Sequence, residues 1–168
     1  VAKVVAQLEQ LIRAKFESGF AEIAKYFNQY FQQLFGGGRA ELVLNNADGQ
    51  FGIEILAVPP GKKVESLAML SGGERSLTGI ALLAAILAAN PSPFVVMDEV
   101  DAALDEANSA RFAAILKDIA KHSQLVVITH NRQTMQAAHS LFGVTMDEHH
   151  VSRLLSVRLE QARELAAK

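Results

Sequence analysis

The chain has 168 residues, a formal net charge of −2 and 50% hydrophobic residues, which is enough for one domain with a real core. These values exclude an overall basic surface of the kind that many nucleic-acid-binding proteins carry. The absence of cysteine excludes disulfides and thiolate metal sites and fits a reducing cytoplasm. The alanine-rich apolar stretch 80–89 is too short to span a membrane, and no signal peptide is evident. We therefore expect a cytoplasmic protein without a membrane partner.

The first 35 residues predict a single long amphipathic helix. Its apolar residues recur three or four positions apart, with an average period of about 3.6. The stripe is formed by Val5, Leu8, Ile12, Phe16, Phe20, Ile23, Phe27, Phe31 and Leu34. Gly36 to Gly38 then predict the end of the helix. Because the pattern is already running at Val1, we expect the chain to be a piece of a longer protein.

A β-hairpin is predicted next. The segments 41–44 and 52–56 are alternating or apolar, and Asn45, Asn46, Asp48 and Gly49 lie between them. Pro59, Pro60 and Gly61 end the second strand.

The pair Gly61-Lys62 suggests a P-loop, but the rest of that motif is missing. A P-loop needs a glycine five positions before Gly61 and a serine or threonine after the lysine, where this chain has Leu56 and Lys63. The two lysines are interpreted as solvated loop charges in preference to phosphate or DNA contacts. Half of any nucleotide site must therefore come from another segment or another chain.

The sequence Ser71-Gly72-Gly73-Glu74 predicts the start of a helix that runs to about Asn90. Ser71 and Glu74 have the spacing of a capping box, in which each side chain satisfies a backbone N–H group. Each glycine costs about 1 kcal/mol relative to alanine in a helical turn, so two glycines call for another explanation. Glycines let a large group approach the N–H groups at the positive end of the helix dipole, where phosphate binds.

A short apolar strand, 94–97, follows Pro91 and Pro93, and it ends in two adjacent carboxylates. We expect this strand to be buried on both faces. Asp98 and Glu99 would then lie at the carboxyl edge of a sheet, where open α/β folds bind ligands. An aspartate at this position holds Mg²⁺ in P-loop nucleotidases, and a glutamate can accept the proton of an attacking water. The alternative is a strand end that carries two charges into solvent.

The remainder of the chain predicts two helices and three strands. Asp105 is a plausible N-cap for a helix that ends near Lys121 and buries Phe112, Ile115, Leu116 and Ile119. Another buried parallel strand, 124–129, ends at His130, which is either a structural histidine or a phosphate contact. A short helix at 131–138, strands at 142–146 and 151–157, and a polar tail at 158–168 complete the prediction.

These motifs together resemble those of a known family. Leu70 to Glu74 resembles the signature motif of ABC-type ATPases, 94–106 resembles a Walker B strand that runs into a D-loop, and 127–130 resembles the switch-histidine strand. The sequences of these segments are most similar to the C-terminal half of the head domain of SMC (structural maintenance of chromosomes) proteins of bacterial or archaeal type. Further segments typical of that branch are 34–38, 59–62, 91–94, 131–135 and 143–146.

The resemblance implies an α/β fold: the C-terminal half of a P-loop NTPase of the ABC head type. Such a half has a central, mostly parallel sheet flanked by helices, with a coiled-coil root helix and a β-hairpin before it. Residues 1–35 would be the coiled-coil root, and residues 36–168 would be the C-terminal lobe of the head.

The resemblance also implies that two heads sandwich two ATP molecules with Mg²⁺. In each site one head would supply the P-loop from its N-terminal half, together with Asp98 for Mg²⁺, Glu99 as the catalytic base and His130 at the γ-phosphate. The opposite head would supply Ser71, Gly72 and Gly73 to the γ-phosphate, and the D-loop Asp105 would lie at the dimer interface near the nucleotide.

The implied partners are the N-terminal half of the same head, a second SMC head, a kleisin subunit and DNA. The implied role is chromosome condensation and segregation in the cytoplasm, at the nucleoid. One alternative is a non-catalytic module that docks the kleisin, with residues 151–159 as candidates. Another is the head half of a DNA repair ATPase such as RecN, which shares the signature and Walker B motifs.

Overall fold

The computed structural model describes residues 2–47, 50–63, 66–148 and 150–158. Their helices and strands follow one another along the chain as α1 (Ala2–Phe35), β1 (Arg39–Ala47), β2 (Gln50–Val58), α2 (Gly72–Ala89), β3 (Phe94–Asp98), α3 (Glu106–Ile119), β4 (Gln124–Ile128), α4 (Arg132–Ala137), β5 (Ser140–Met146) and β6 (Ser152–Arg158). A short 3₁₀ turn, Leu67–Met69, precedes α2. The strands form two antiparallel hairpins, β1–β2 and β5–β6, and one parallel pair, β3–β4. The predicted elements are thus present, and the predicted α/β class is confirmed.

The core lies where the C-terminal half of α1 packs against α2, α3 and β1. Phe27, Tyr30, Phe31 and Leu34 are at most 1% exposed, whereas the apolar residues of the first four turns remain exposed. Each aromatic side chain that is fully buried contributes about 2–3 kcal/mol relative to an exposed one. Within the described chain, therefore, the second half of the apolar stripe forms part of the core, whereas the first half remains exposed.

Two polar contacts join α1 to α3 at the edge of this core. The Tyr30 hydroxyl donates to Asp118 Oδ2 over 3.1 Å, and Arg111 Nη1 donates to the Leu34 carbonyl over 2.8 Å. Burial, reinforced by the Asp118 hydrogen bond, raises the pKa of Tyr30 to about 12. The hydrogen bond from Lys121 lowers the pKa of Asp118. The long helix is thereby held to α3 near the middle of α3, at Arg111, and near its C-terminal end, at Asp118.

The turn after α1 needs glycine for a steric reason. Gly36, Gly37 and Gly38 all have positive φ, and a Cβ atom on Gly38 would collide with the carbonyl oxygen of Val58. Glycine at these three positions allows the chain to turn from α1 directly into β1, which pairs with β2.

The prediction that the strands 94–97 and 124–129 are buried on both faces is wrong for this chain. Met97 and its neighbours on one face pack on the helices, but Phe94, Val96, Val126 and Ile128 are between 48% and 67% exposed. These four side chains define the open face of the β3–β4 pair. The reason is that, among the described residues, the core cluster covers one face of this two-stranded sheet and leaves the other uncovered.

By length and composition alone, helix α2 is long and apolar enough to cross a membrane. The shorter apolar stretch 80–89 of the sequence did not predict this property. That observation is weak evidence for a membrane span, because core helices share these properties. Leu77, Ile80, Ala81 and Ala85 on one face of α2 are buried in the protein core.

The β5–β6 hairpin carries exposed apolar side chains, and His150 between its strands has a positive φ. Phe142, Val144, Met146 and Leu154 are between 62% and 73% exposed. His150 in the turn has φ of 60°, a conformation that favours glycine. The predicted polar tail falls almost entirely on residues 159–168, which lie outside the described residues.

Candidate functional site: a helix start and the ends of two parallel strands

The first part of the candidate site is the start of α2, where the predicted capping box is confirmed. Glu74 Oε2 accepts hydrogen bonds from the backbone N–H and the hydroxyl of Ser71, both over 2.9 Å, and the Glu74 N–H donates to Ser71 Oγ over 3.4 Å. Gly72 and Gly73 are exposed, and a Cβ on either would meet nothing within 4 Å. The helix start therefore presents an open surface to which a large anion could come close.

Lys62 is an exposed loop residue, as predicted, and its side chain also lies against this helix start. Its Nζ is 2.6 Å from Glu74 Oε1. This contact, together with the hydrogen bonds from Ser71, lowers the pKa of Glu74 to about 2. The pair neutralises a carboxylate that would otherwise repel an anion at the N-terminus of α2.

The low pKa predicts how the stability of this region depends on pH. Since the pKa of Glu74 falls from 4.5 in the unfolded chain to about 2 in the folded one, its contribution is complete above pH 4.5 and is lost as pH falls toward 2. We expect Glu74→Gln to destabilise the protein at pH 7 and to differ little from wild type near pH 2. Urea unfolding at several pH values measures this, with Glu17→Gln in the exposed Arg13–Glu17 pair as the control. A gap between wild type and Glu74→Gln that stays constant with pH would contradict it.

The second part of the candidate site is the carboxyl edge of the β3–β4 pair. Asp98, the last residue of β3, is in register with Ile128, and the Glu99 N–H donates to the Ile128 carbonyl over 2.9 Å. Glu99 has φ of 47°, which is uncommon for a residue other than glycine and is often found at functional sites. Its carboxylate Oε1 lies 3.6 Å from His130 Nδ1, and both side chains are mostly exposed. The structure thus brings together two residues that are 31 positions apart in the printed sequence.

The described residues at this edge could supply some, but not all, of the ligands of a magnesium ion. Among the residues that the structure describes, no group of three or more acidic or histidine side chains could hold a metal. Asp98 is exposed at the strand end and offers one carboxylate. One carboxylate is compatible with Mg²⁺ when phosphate oxygens and water supply the other ligands.

Asp105 is the N-cap of α3, as predicted, because its Oδ1 accepts a hydrogen bond from the Asn108 N–H over 2.8 Å.

The loop before Asp105, 99–104, contains a buried polar residue that the sequence analysis did not single out. Asp101 is 1% exposed and is hydrogen-bonded to Thr129 and Thr134. The sequence signal that could have identified Asp101 is its carboxylate between Val100 and two alanines, close to the acidic pair Asp98–Glu99.

Comparison with solved structures identifies the class of protein. A Pyrococcus furiosus Smc head domain with an extended coiled coil, bound to the C-terminal domain of ScpA, superposes with a TM-score of 0.87 at 36% identity, over 99% of this chain and 42% of that one. A chain from a study of ATP-driven dimerisation and DNA-stimulated activation of SMC ATPases gives a TM-score of 0.78 at 38% identity, over 92% of this chain and 94% of that one. The fold is therefore that of part of an SMC-type ATPase head.

Comparison with known sequences gives the family. A family model described as the RecF/RecN/SMC N terminal domain matches residues 6–153. The chromosome partition protein Smc of Bacillus subtilis is 49% identical over 164 residues, and that of Myxococcus xanthus is 43% identical over 162 residues. The matches cover 96% and 95% of this chain but only 14% of either relative. The chain belongs to the SMC family, and it spans about one seventh of the length of these curated relatives.

Proposed function

We propose that this chain is the C-terminal half of an SMC ATPase head and that it hydrolyses ATP only together with the P-loop-bearing N-terminal half. The observation that carries the proposal is the approach of Glu99 to His130 at the exposed carboxyl edge of β3–β4. Solved SMC heads with this fold, one of them from work on ATP-driven dimerisation, support it.

An exposed apolar surface supports the proposed packing of an N-terminal half on this chain. The open face of the β3–β4 pair exposes four large apolar side chains on adjacent strands. A patch of this kind marks an interaction surface, since single domains rarely leave contiguous apolar area uncovered. We infer that the N-terminal half of the head extends the sheet and covers this face, which brings its P-loop to the same edge as Asp98.

The residues at that edge have distinct roles in the proposed reaction. Glu99 accepts the proton of the water that attacks the γ-phosphate, and His130 contacts that phosphate. Asp98 holds Mg²⁺, which, when bound, neutralises charge on the phosphates.

The start of α2 acts on the nucleotide of the opposite head. There Ser71, Gly72 and Gly73 bind the γ-phosphate with the N–H groups and the positive dipole end of the helix. Ser71 Oγ now donates to Glu74, so this hydroxyl has to rotate before it can donate to a phosphate oxygen. Asp105 lies at the interface between the heads. A nucleotide shared by two surfaces stabilises the dimer, and hydrolysis releases it.

The wider function follows from the relatives. Two SMC heads with bound ScpA are among the similar solved structures, and the sequence relatives are chromosome partition proteins. We infer that the head works at the chromosome in the cytoplasm, that the exposed first half of α1 continues into a coiled coil, and that ATP turnover drives DNA entrapment and chromosome segregation. The sequence matches to Smc proteins favour this function over that of a RecN-like repair ATPase.

A second candidate function is a docking module for the kleisin. The exposed apolar side chains of the β5–β6 hairpin favour it, and they include Leu154 within the predicted segment 151–159. Leu159 of that segment lies outside the described residues.

Reconstitution separates the two candidates. We expect the isolated chain to bind ATP weakly, because it has no P-loop, and the mixture with the P-loop half to hydrolyse ATP. The measurements are calorimetric titration with ATP and phosphate release in the presence of Mg²⁺. Tight ATP binding by the isolated chain would contradict the proposed division of the site. Capture of a kleisin fragment without hydrolysis in the mixture would favour the docking module.

A further inference from the structure

The carboxylate of Asp101 is the centre of a buried polar cluster that joins three segments. Thr129 Oγ1 lies 2.9 Å and 2.8 Å from the two carboxylate oxygens, and Thr134 Oγ1 also donates to Oδ2. None of the salt bridges among the described residues includes Asp101. A buried carboxylate is costly unless hydrogen bonds satisfy it, so these two hydroxyls are what make its burial tolerable.

The cluster holds the backbone on both sides of His130. Thr129 Oγ1 accepts from the Asn131 N–H over 2.9 Å while its hydroxyl proton points to Asp101. Asn131 Nδ2 donates to Ser109 Oγ in α3 over 2.7 Å, and Asn131 Oδ1 caps α4. His130 itself is exposed, with 73% of its side chain accessible. Its position is therefore set by its two neighbours and not by packing of its own ring.

The same carboxylate lies two residues after Glu99. The loop 99–104 is folded on itself by hydrogen bonds from the Ala102 N–H to the Glu99 carbonyl and from the Leu104 N–H to the Asp101 carbonyl. Asp101 thus ties the loop that carries Glu99 to the loop that carries His130. The hydrogen bond from Asn131 to Ser109 extends this connection to α3, whose N-cap is Asp105.

We propose that Asp101 is a positioning residue that holds His130 at a fixed distance from Glu99 and couples both to the start of α3. The inference rests on the proposed function, since it concerns the geometry of that same site. Asp101 does not touch the reacting atoms. Loss of its hydrogen bonds lowers the rate of hydrolysis because His130 and Glu99 are no longer held together, while the start of α2 still engages nucleotide.

The test uses Thr134→Val and Asp101→Asn in the complex with the P-loop half. Valine has the shape of threonine without the hydroxyl, and Asn keeps the size of Asp while it replaces one acceptor by a donor. Thr78→Val is the matched control, because Thr78 is similarly buried and its hydroxyl donates to the Glu74 carbonyl within α2, away from the Asp101 cluster. We expect kcat to fall about tenfold or more in both variants, with unchanged KM and ATP-dependent dimerisation, and kcat to be unchanged in the control.

Two measurements distinguish positioning from a loss of general stability. In a double-mutant cycle, Asp101→Asn should add little to the loss caused by His130→Ala, because both changes act on the same element. Hydrogen exchange of the Asn131 amide should accelerate in Thr134→Val but not in Thr78→Val. Additive losses, or hydrolysis by both variants at the control rate, would overturn the proposal. If the wild-type complex itself failed to hydrolyse ATP, the proposed function would fail instead.

Discussion

Replacement of Glu99 by Gln in the complete head is expected to slow ATP hydrolysis by about 10²–10⁴-fold, the usual contribution of a general base. Glutamine has the same shape and can still hydrogen-bond a water, but it cannot take up its proton. Because Glu99 is exposed at the end of β3 and is not part of the core, the fold should not change. We expect ATP-dependent dimerisation to persist and to last longer, since the shared triphosphate is not cleaved.

The measurements are single-turnover phosphate release and gel filtration with ATP and Mg²⁺. Glu106→Gln is the matched control, because Glu106 is an acidic residue in the first turn of α3 that faces Gln133 over 3.5 Å. It should leave the rate within about threefold of wild type, as expected for a surface substitution. Normal turnover by Glu99→Gln would exclude Glu99 as the base.

Replacement of Ser71 by Arg is expected to abolish ATP-dependent dimerisation of the heads. The open space next to Gly72 and Gly73 is what lets a second surface bring a phosphate to the start of α2, and an arginine side chain would fill it. The loss of the N-cap should also cost about 1 kcal/mol of stability. Gel filtration or light scattering with ATP measures the dimer.

Two controls separate the bulk of arginine from the loss of the cap. Ser71→Ala removes the capping hydroxyl without adding volume, so it should weaken the dimer much less than Ser71→Arg. Ser66→Arg places the same side chain at another exposed serine that caps the neighbouring 3₁₀ turn, and it should leave the dimer intact. An unchanged dimer in Ser71→Arg would contradict a role of this helix start across the interface.

The elements could be predicted from the sequence because their signals are local. The Ser71–Glu74 capping box and the Asp105 cap depend on residues three positions apart, and both are present as predicted. The buried face of α3, with Phe112, Ile115 and Leu116, follows from helical periodicity. The pairing of β3 with β4 in parallel follows from two apolar strands joined by a helix.

The contacts that complete the candidate site could not be predicted in the same way. Lys62 meets Glu74 across 12 residues, and Asp101 meets Thr129 and Thr134 across 28 and 33 residues. A side chain of Lys or Asp in a loop has many possible partners, and the fold alone selects one. The burial of both strands was predicted wrongly for a related reason: an apolar run shows that a strand can be covered on both faces, and not that this chain contains what covers it.

From the residues alone one could establish the order of helices and strands, the caps that begin α2 and α3, the acidic pair after β3 and the absence of a P-loop. These features depend on backbone hydrogen bonds and periodicity over a few positions, which neighbouring residues control. The tertiary structure alone decided how closely Glu99 approaches His130, that Asp101 is buried between their loops, and that one face of β3–β4 stays open. Those outcomes depend on which distant surfaces pack together, because burial makes each polar group take whatever partner the packing brings within reach.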